Sequence, residues 1–153
     1  MHVLLATDAQ WVLDEVVAAL GSPSTSFQVV TNGRRVADVV AERTPDIAIL
    51  DLQVGTMGGM AITMDLRLDA SSGVLPHVPV LMLLDRDVDV HMARRSGANG
   101  WIIKPLDALR LRRAVDAVMN GGCYAEGIPV VADENTADAQ EAAEESADRD
   151  RKS

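Results

Sequence analysis

Five short apolar segments, separated by stretches with helical periodicity, constrain the fold of this chain more than any other feature of its sequence. Each segment is three to five residues long, and its hydrophobic residues are mostly continuous rather than alternating with polar ones. Such runs are typical of strands that are buried on both faces of a sheet. The predicted strands are Val3–Ala6, Phe27–Val30, Ile47–Leu50, Val80–Leu84 and Trp101–Ile103.

The stretches between these strands carry the helical repeat. In the first, apolar residues follow the spacing i, i+3, i+4, i+7 before a glycine that ends the helix: Leu13, Val16, Val17, Leu20 and Gly21. Residues 36–40 and 111–119 repeat this period, and residues 60–69 and 88–95 do so less regularly. Five strands that alternate with five helices predict an α/β fold, in which right-handed crossovers cover both faces of a parallel sheet.

The composition excludes several classes of protein. Aromatic residues make up only 3% of a chain that is 48% hydrophobic, so we expect an aliphatic core. The net charge of −9 argues against DNA binding, which needs a basic surface. No apolar run is long enough to insert into a membrane, and no signal peptide is visible. A single cysteine, Cys123, cannot form an internal disulfide, which favours a cytoplasmic location.

The end of the chain differs sharply from the rest. Residues 132–153 carry a net charge of −5 and contain no Val, Leu, Ile, Phe or Trp, so this segment cannot bury enough apolar surface to fold alone. We therefore predict one folded domain over residues 1–122 and an acidic tail over residues 123–153, which is disordered unless it binds a partner. Too little chain follows the domain for a helix-turn-helix output domain.

Polar residues follow several of the predicted strands. They are Thr7-Asp8, Asp51, Asp85 and Lys104. Ligands of such sheets bind beyond the carboxyl ends of the strands, so we expect these side chains to converge in one crevice. Carboxylate oxygens suit a hard cation such as Mg²⁺, and a lysine ammonium can neutralise a phosphoryl group.

Three segments carry a specific resemblance. The sequences PDIAILD (Pro45–Asp51), PVLMLL (Pro79–Leu84) and SGANGWIIKPL (Ser96–Leu106) resemble a bacterial response-regulator receiver domain over about 120 residues. The resemblance implies a flavodoxin-like (βα)5 fold, a doubly wound parallel five-stranded sheet with the strand order 2-1-3-4-5. It also implies a two-component signalling role rather than enzymatic activity beyond residual autophosphorylation or autophosphatase activity.

The resemblance assigns roles to individual residues. Asp51 matches the aspartate that accepts a phosphoryl group from a histidine kinase, and Lys104 matches the lysine that contacts the phosphoryl oxygens. Mg²⁺ would be held by Asp8, by Asp51 and by the backbone carbonyl of Gln53. Trp101 occupies the position of the aromatic residue that swings inward on phosphorylation.

Several positions depart from the family pattern. Thr7 replaces the first of two acids, which weakens the attraction for Mg²⁺, so we expect weak or absent Mg²⁺ binding. Leu84 replaces a Ser or Thr whose hydroxyl contacts the phosphoryl group. Asp85 replaces a small residue and places a carboxylate beside the intended phosphoryl group. The loop over residues 54–59 contains added glycines, which make it more flexible.

These departures leave alternatives open. Asp85 caps the fourth helix in the interpretation that we favour; otherwise it pairs with Lys104 in the place of a phosphoryl group, or it partly replaces the acid missing at Thr7. Because Leu84 offers no hydroxyl, we expect Trp101 to have a fixed packing or docking role. The histidines His2, His77 and His91 show no metal-ligand spacing.

The function predicted from these features is an atypical receiver that acts as a protein-interaction or accessory module, with impaired phosphorylation at Asp51. One alternative is a phosphorylatable single-domain response regulator in a phosphorelay, and a remote one is a flavodoxin-like or nucleotide-binding enzyme. The resemblance implies that partners dock on the face of helix 4, strand 5 and helix 5, whose arginines are Arg94, Arg95, Arg110, Arg112 and Arg113. The tail is a second candidate surface. A further resemblance, to orphan receiver-like subunits of actinobacterial type, implies a large assembly such as respiratory complex I, peripheral to a membrane.

Overall fold

Residues 1–127 are described by the computed structural model, and they form one parallel sheet with helices on both faces. The strand order is β2-β1-β3-β4-β5-β6, and every neighbouring pair is parallel. The strands are β1 (His2–Ala6), β2 (Ser26–Val30), β3 (Ile47–Asp51), β4 (Val80–Leu84), β5 (Gly100–Ile103) and β6 (Tyr124–Ala125).

Five helices connect these strands and divide between the two faces. They are α1 (Gln10–Leu20), α2 (Val36–Glu42), α3 (Gly59–Ser71), α4 (Val90–Ser96) and α5 (Ala108–Met119). Alternate residues of each strand point to opposite faces. Leu5 accordingly packs in a core layer with α1 and α5, while Leu4 packs in a second layer with α2 and α3. A third cluster joins α4 to β4 and β5.

The burial of the central strands explains their continuous apolar sequences. Every residue of β1, β3 and β4 is buried, because helices cover both sides. The edge strand β2 is more polar and more exposed. The predicted five-stranded order 2-1-3-4-5 is confirmed, and each predicted strand lies within one residue of its observed position.

The last turn of α4 leads directly into β5 through Gly97. This residue has a φ of 88° in the left-handed region, where a side chain is strained. The turn places Asn99 beside the first residue of β4, where its side-chain oxygen accepts a hydrogen bond from the Val80 backbone N–H at 2.9 Å. The beginnings of β4 and β5 are thereby held together.

A sixth strand lies outside the domain limits that the sequence analysis proposed. The chain remains packed on the domain through Gly127, because Tyr124–Ala125 pairs with β5. Residues 123–127 of the predicted tail thus lie against the sheet, and residues 128–153 lie outside the described residues. Within residues 1–127, no helix has both the length and the apolar character needed to cross a membrane.

Candidate functional site

Two predicted site residues meet at the carboxyl edge of the sheet. Asp51 is the last residue of β3 and is only 1% exposed, and Lys104 follows β5 directly. The Lys104 Nζ atom lies 2.6 Å from Asp51 Oδ1. Parallel strands end at one edge of a sheet, so residues that are 53 positions apart in sequence form a direct ion pair.

Thr7 completes the surroundings of Asp51. Its hydroxyl donates a hydrogen bond of 2.8 Å to Asp51 Oδ2, and the Thr7 oxygen accepts one of 3.1 Å from the Ala9 backbone N–H. The backbone N–H of Gln53 donates to Asp51 Oδ1 at 3.2 Å. Both oxygens of the buried carboxylate are therefore satisfied by the protein itself, with a neutral donor at the position where the resemblance implies an acid.

Asp85 is a second carboxylate in contact with the lysine. Its Oδ1 atom is 2.9 Å from Lys104 Nζ, so the ammonium is held between two carboxylates. The interpretation of Asp85 as a cap of the fourth helix is wrong, because its Oδ1 atom binds Lys104, and the Arg86 backbone N–H at the start of the turn that leads into α4 donates to Asp89 instead. The other Asp85 oxygen, Oδ2, is buried and has no hydrogen-bond partner among the described residues.

The charge state of Lys104 follows from these contacts. Burial disfavours the ammonium form, but the hydrogen bonds and the negative charges of Asp51 and Asp85 outweigh that effect and raise the pKa of Lys104 above its ordinary value. The lysine is therefore a cation throughout the physiological range. It is neutralised locally by groups that belong to the same chain.

Trp11 also borders the site, although the sequence analysis did not identify it. Its ring centroid lies 5.6 Å from Lys104 Nζ, within the range of a cation–π contact, and 49% of the residue is exposed. The sequence carries one signal for this role: Trp11 lies three residues after Asp8, at the start of α1.

Asp8 is held by the loop that follows β3. The backbone N–H of Gly55 donates a hydrogen bond of 3.1 Å to Asp8 Oδ2. A Cβ atom on Gly55 would lie 3.0 Å from the same oxygen, so a side chain at this position would require the exposed Asp8 carboxylate to move by a few tenths of an ångström. One of the added glycines therefore anchors Asp8 instead of simply loosening the loop.

Most of the carboxylate oxygens that could bind Mg²⁺ already accept hydrogen bonds from the protein. Of the four carboxylate oxygens of Asp8 and Asp51, three accept hydrogen bonds from the protein, and one of these also contacts the Lys104 ammonium. A cation would have to compete with these donors and would lie close to a positive charge. The residues present fit a magnesium site poorly.

The two predicted switch positions lie together on the α4 side of the sheet. Leu84 is fully buried in the cluster that includes Trp101, Val90 and Ala93. Trp101 is 6% exposed, and its Nε1–H donates a hydrogen bond of 2.8 Å to the backbone carbonyl of Glu126. These contacts support the interpretation of a fixed packing role for the tryptophan.

Comparison with known proteins gives consistent matches. The family described as "Response regulator receiver domain" matches residues 3–116. Protein PilH of Pseudomonas aeruginosa is 24% identical over 120 residues, which cover 78% of this chain and 98% of PilH. The heme response regulator HssR of Staphylococcus epidermidis is 28% identical over 78% of this chain, which spans only 51% of HssR. The chemotaxis response regulator CheY4 of Vibrio cholerae shares the fold, with a TM-score of 0.66 at 21% identity over 76% of this chain and 97% of CheY4.

Proposed function

The chain belongs to the response regulator receiver domain family, and we propose that it is a receiver whose phosphoryl-acceptor site is occupied by its own charged side chains. Domains of this family are generally signalling modules that bind Mg²⁺ at the phosphorylation site and interact with histidine kinases and effector proteins. In this chain we infer that phosphorylation at Asp51 is impaired and that the domain acts mainly through protein contacts.

The observation that carries the proposal is the position of the Lys104 ammonium between Asp51 and Asp85, at 2.6 and 2.9 Å. A phosphoryl group on Asp51 would need the same ammonium to neutralise its oxygens. The Asp85 carboxylate already supplies that negative charge. Phosphorylation would therefore have to displace Asp85 or accept its repulsion at close range.

Two further features support the same conclusion. Leu84 offers no hydroxyl to a phosphoryl oxygen, and an unmade hydrogen bond of this kind costs about 1–3 kcal/mol. Three of the four carboxylate oxygens of Asp8 and Asp51 accept hydrogen bonds within the protein, so we expect Mg²⁺ to bind weakly. Each effect lowers the stability of the phosphorylated form relative to the free form.

The proposal gives the domain a role as an interaction or accessory module in the cytoplasm. A large assembly such as respiratory complex I remains a prediction of the sequence analysis alone. Capture of the tagged full chain from native cells, followed by mass spectrometry, tests the role. We expect the same partner to be retained by the wild type and by Asp51→Asn; a partner that Asp51→Asn loses would contradict it.

A second candidate is a phosphorylatable single-domain response regulator. It is favoured by the direct contact of Lys104 with Asp51 and by the alignment with nearly the whole length of PilH. Transfer of labelled phosphate from a histidine kinase, abolished by Asp51→Asn, would decide for this candidate.

A further inference from the structure

The outer edge of β5 is covered by residues 124–127, which we call the C-terminal segment. Tyr124 and Ala125 pair in parallel with Gly100 and Trp101, so the edge of the five-stranded sheet is not free. A Cβ atom on Gly100 would lie 2.8 Å from the Tyr124 carbonyl oxygen, so this close approach of two backbones requires glycine. At the other end of the edge, Gly127 packs on Val90 of α4.

Donors from the domain converge on one residue of this segment. The Ile103 backbone N–H donates to Glu126 Oε1 at 3.0 Å, and Arg110 Nε donates to Oε2 at 2.8 Å. The Trp101 indole N–H donates to the Glu126 backbone carbonyl at 2.8 Å. Within the segment itself, the Tyr124 hydroxyl donates to Oε2 at 2.8 Å. The partly buried carboxylate thus continues the strand pairing where the backbone of β6 ends.

The arginine that binds this carboxylate is held in place by the domain. Its guanidinium also donates to the backbone carbonyls of Pro105 and Ile103, each at 2.8 Å, and contacts Asp107 Oδ2 at 3.0 Å. Arg110 is therefore oriented by groups that lie outside the C-terminal segment. An oriented guanidinium is well suited to bidentate binding of a carboxylate.

These contacts define a site that belongs to the domain, with donors on β5 and α5 and a hydrogen-bonding strand edge beside them. We propose that this edge is a docking site for an extended acidic segment of the type Tyr-x-Glu, and that residues 124–127 occupy it in cis. Recognition combines strand addition with capture of one carboxylate. The inference is independent of the chemistry at Asp51.

The proposal changes the expected docking surface of the chain. The β5 edge of the face formed by α4, β5 and α5 is covered by the segment, since its residues touch Trp101, Val90 and Arg110. A partner that offers a similar acidic strand must displace the segment, which competes at the high effective concentration of a tethered ligand. Weakening the tethered segment should therefore open the site to a peptide in trans.

The single cysteine allows the inference to be tested on the full chain. Cys123 is exposed and lies next to the segment, so a nitroxide attached to it reports the mobility of the segment by electron paramagnetic resonance. We expect an immobilised spectrum for the wild type and a mobile component for Glu126→Gln and for Arg110→Gln. Arg113→Gln is the control for Arg110→Gln: it also removes one positive charge from α5, but from an exposed position, and it should leave the spectrum unchanged.

A peptide provides the second measurement. The acetylated sequence Ser-Tyr-Ala-Glu-Gly, which has Ser in place of Cys123, is titrated into the unlabelled chain while the indole resonance of Trp101 is followed by NMR. We expect it to bind Glu126→Gln about tenfold to hundredfold more tightly than the wild type. This factor corresponds to the charge-assisted hydrogen bond that the tethered segment loses in the variant. The same peptide with Gln in place of Glu should bind more weakly.

Several outcomes would overturn the proposal. One is a nitroxide spectrum that is identical in Glu126→Gln, Arg110→Gln and the wild type; another is a peptide that binds wild type and Glu126→Gln equally or binds neither. Circular dichroism establishes that each variant is folded. Tyr124→Phe, which removes only one hydroxyl, is expected to shift the label spectrum in the same direction by a smaller amount, and no shift in this folded variant would also count against the proposal.

Discussion

Replacing Asp85 by Asn is expected to increase the affinity of the site for beryllofluoride, the phosphoryl analogue, in the presence of Mg²⁺. The asparagine keeps the shape of the side chain but removes the charge that lies 2.9 Å from Lys104 Nζ. The ammonium is then held by Asp51 alone and can interact with the analogue without competition.

The size of the effect follows from the burial of the pair. A hydrogen bond between charged groups contributes about 1.5–3 kcal/mol when it is shielded from water. Since 34% of the Asp85 side chain is exposed, we discount this to about 1 kcal/mol for solvent screening. The dissociation constant for beryllofluoride should therefore fall about fivefold.

Titration of the isotopically labelled chain by NMR measures this change. Asp87→Asn is the matched control, because Asp87 is an exposed acid of the same loop and its loss changes the net charge equally. We expect the control to bind as the wild type does. Weaker binding by Asp85→Asn would refute the reasoning and favour the alternative that Asp85 supplies a negative charge to the metal site.

Three further predictions concern the contacts of the site and of the C-terminal segment. Thr7→Val removes the hydroxyl that donates to the buried Asp51 carboxylate, so we expect urea unfolding to show a loss of about 1–3 kcal/mol; an unchanged midpoint would contradict the hydrogen bond. Because the folded-state pKa of Lys104 is raised, its charge stabilises the fold fully below about pH 10.5, and this contribution is lost as the pH rises through the folded pKa. The difference in unfolding free energy between wild type and Lys104→Met should thus shrink only above that pH. Burial opposes the ionised form of Glu126, but Arg110, the Ile103 N–H and the Tyr124 hydroxyl outweigh it and lower the pKa of Glu126. The advantage of the wild type over Glu126→Gln should therefore be present above about pH 4.5 and disappear as the pH falls through the folded pKa, and an advantage that persists in acid would contradict the ion pair.

The sequence was sufficient to predict the sheet and the meeting of Asp51 with Lys104. Continuous apolar runs identify strands that are buried on both faces, and parallel strands must end at one edge of the sheet. These two rules place residues from distant parts of the chain together without any knowledge of side-chain conformations.

Other features could not be predicted because they depend on side-chain geometry. Asp85 follows a strand and precedes a helix, a position that suits a cap equally well. Only the side-chain contacts decide against the cap: Asp85 lies 2.9 Å from Lys104, and Asp89 accepts the hydrogen bond of the Arg86 backbone N–H. The strand Tyr124–Ala125 is only two residues long, so it leaves no apolar run in the sequence. It is held in place by hydrogen bonds to Glu126, which the sequence does not reveal. Trp11 was missed because a ring beside an ammonium leaves no spacing pattern.

The most direct test of the central claim is the intact mass of the full chain after incubation with acetyl phosphate and Mg²⁺. If Asp85 occupies the place of a phosphoryl group beside Lys104, only a minor fraction of the wild type should gain the mass of a phosphoryl group, and Asp85→Asn should gain more. Rapid and complete phosphorylation of the wild type, abolished by Asp51→Asn, would contradict the claim.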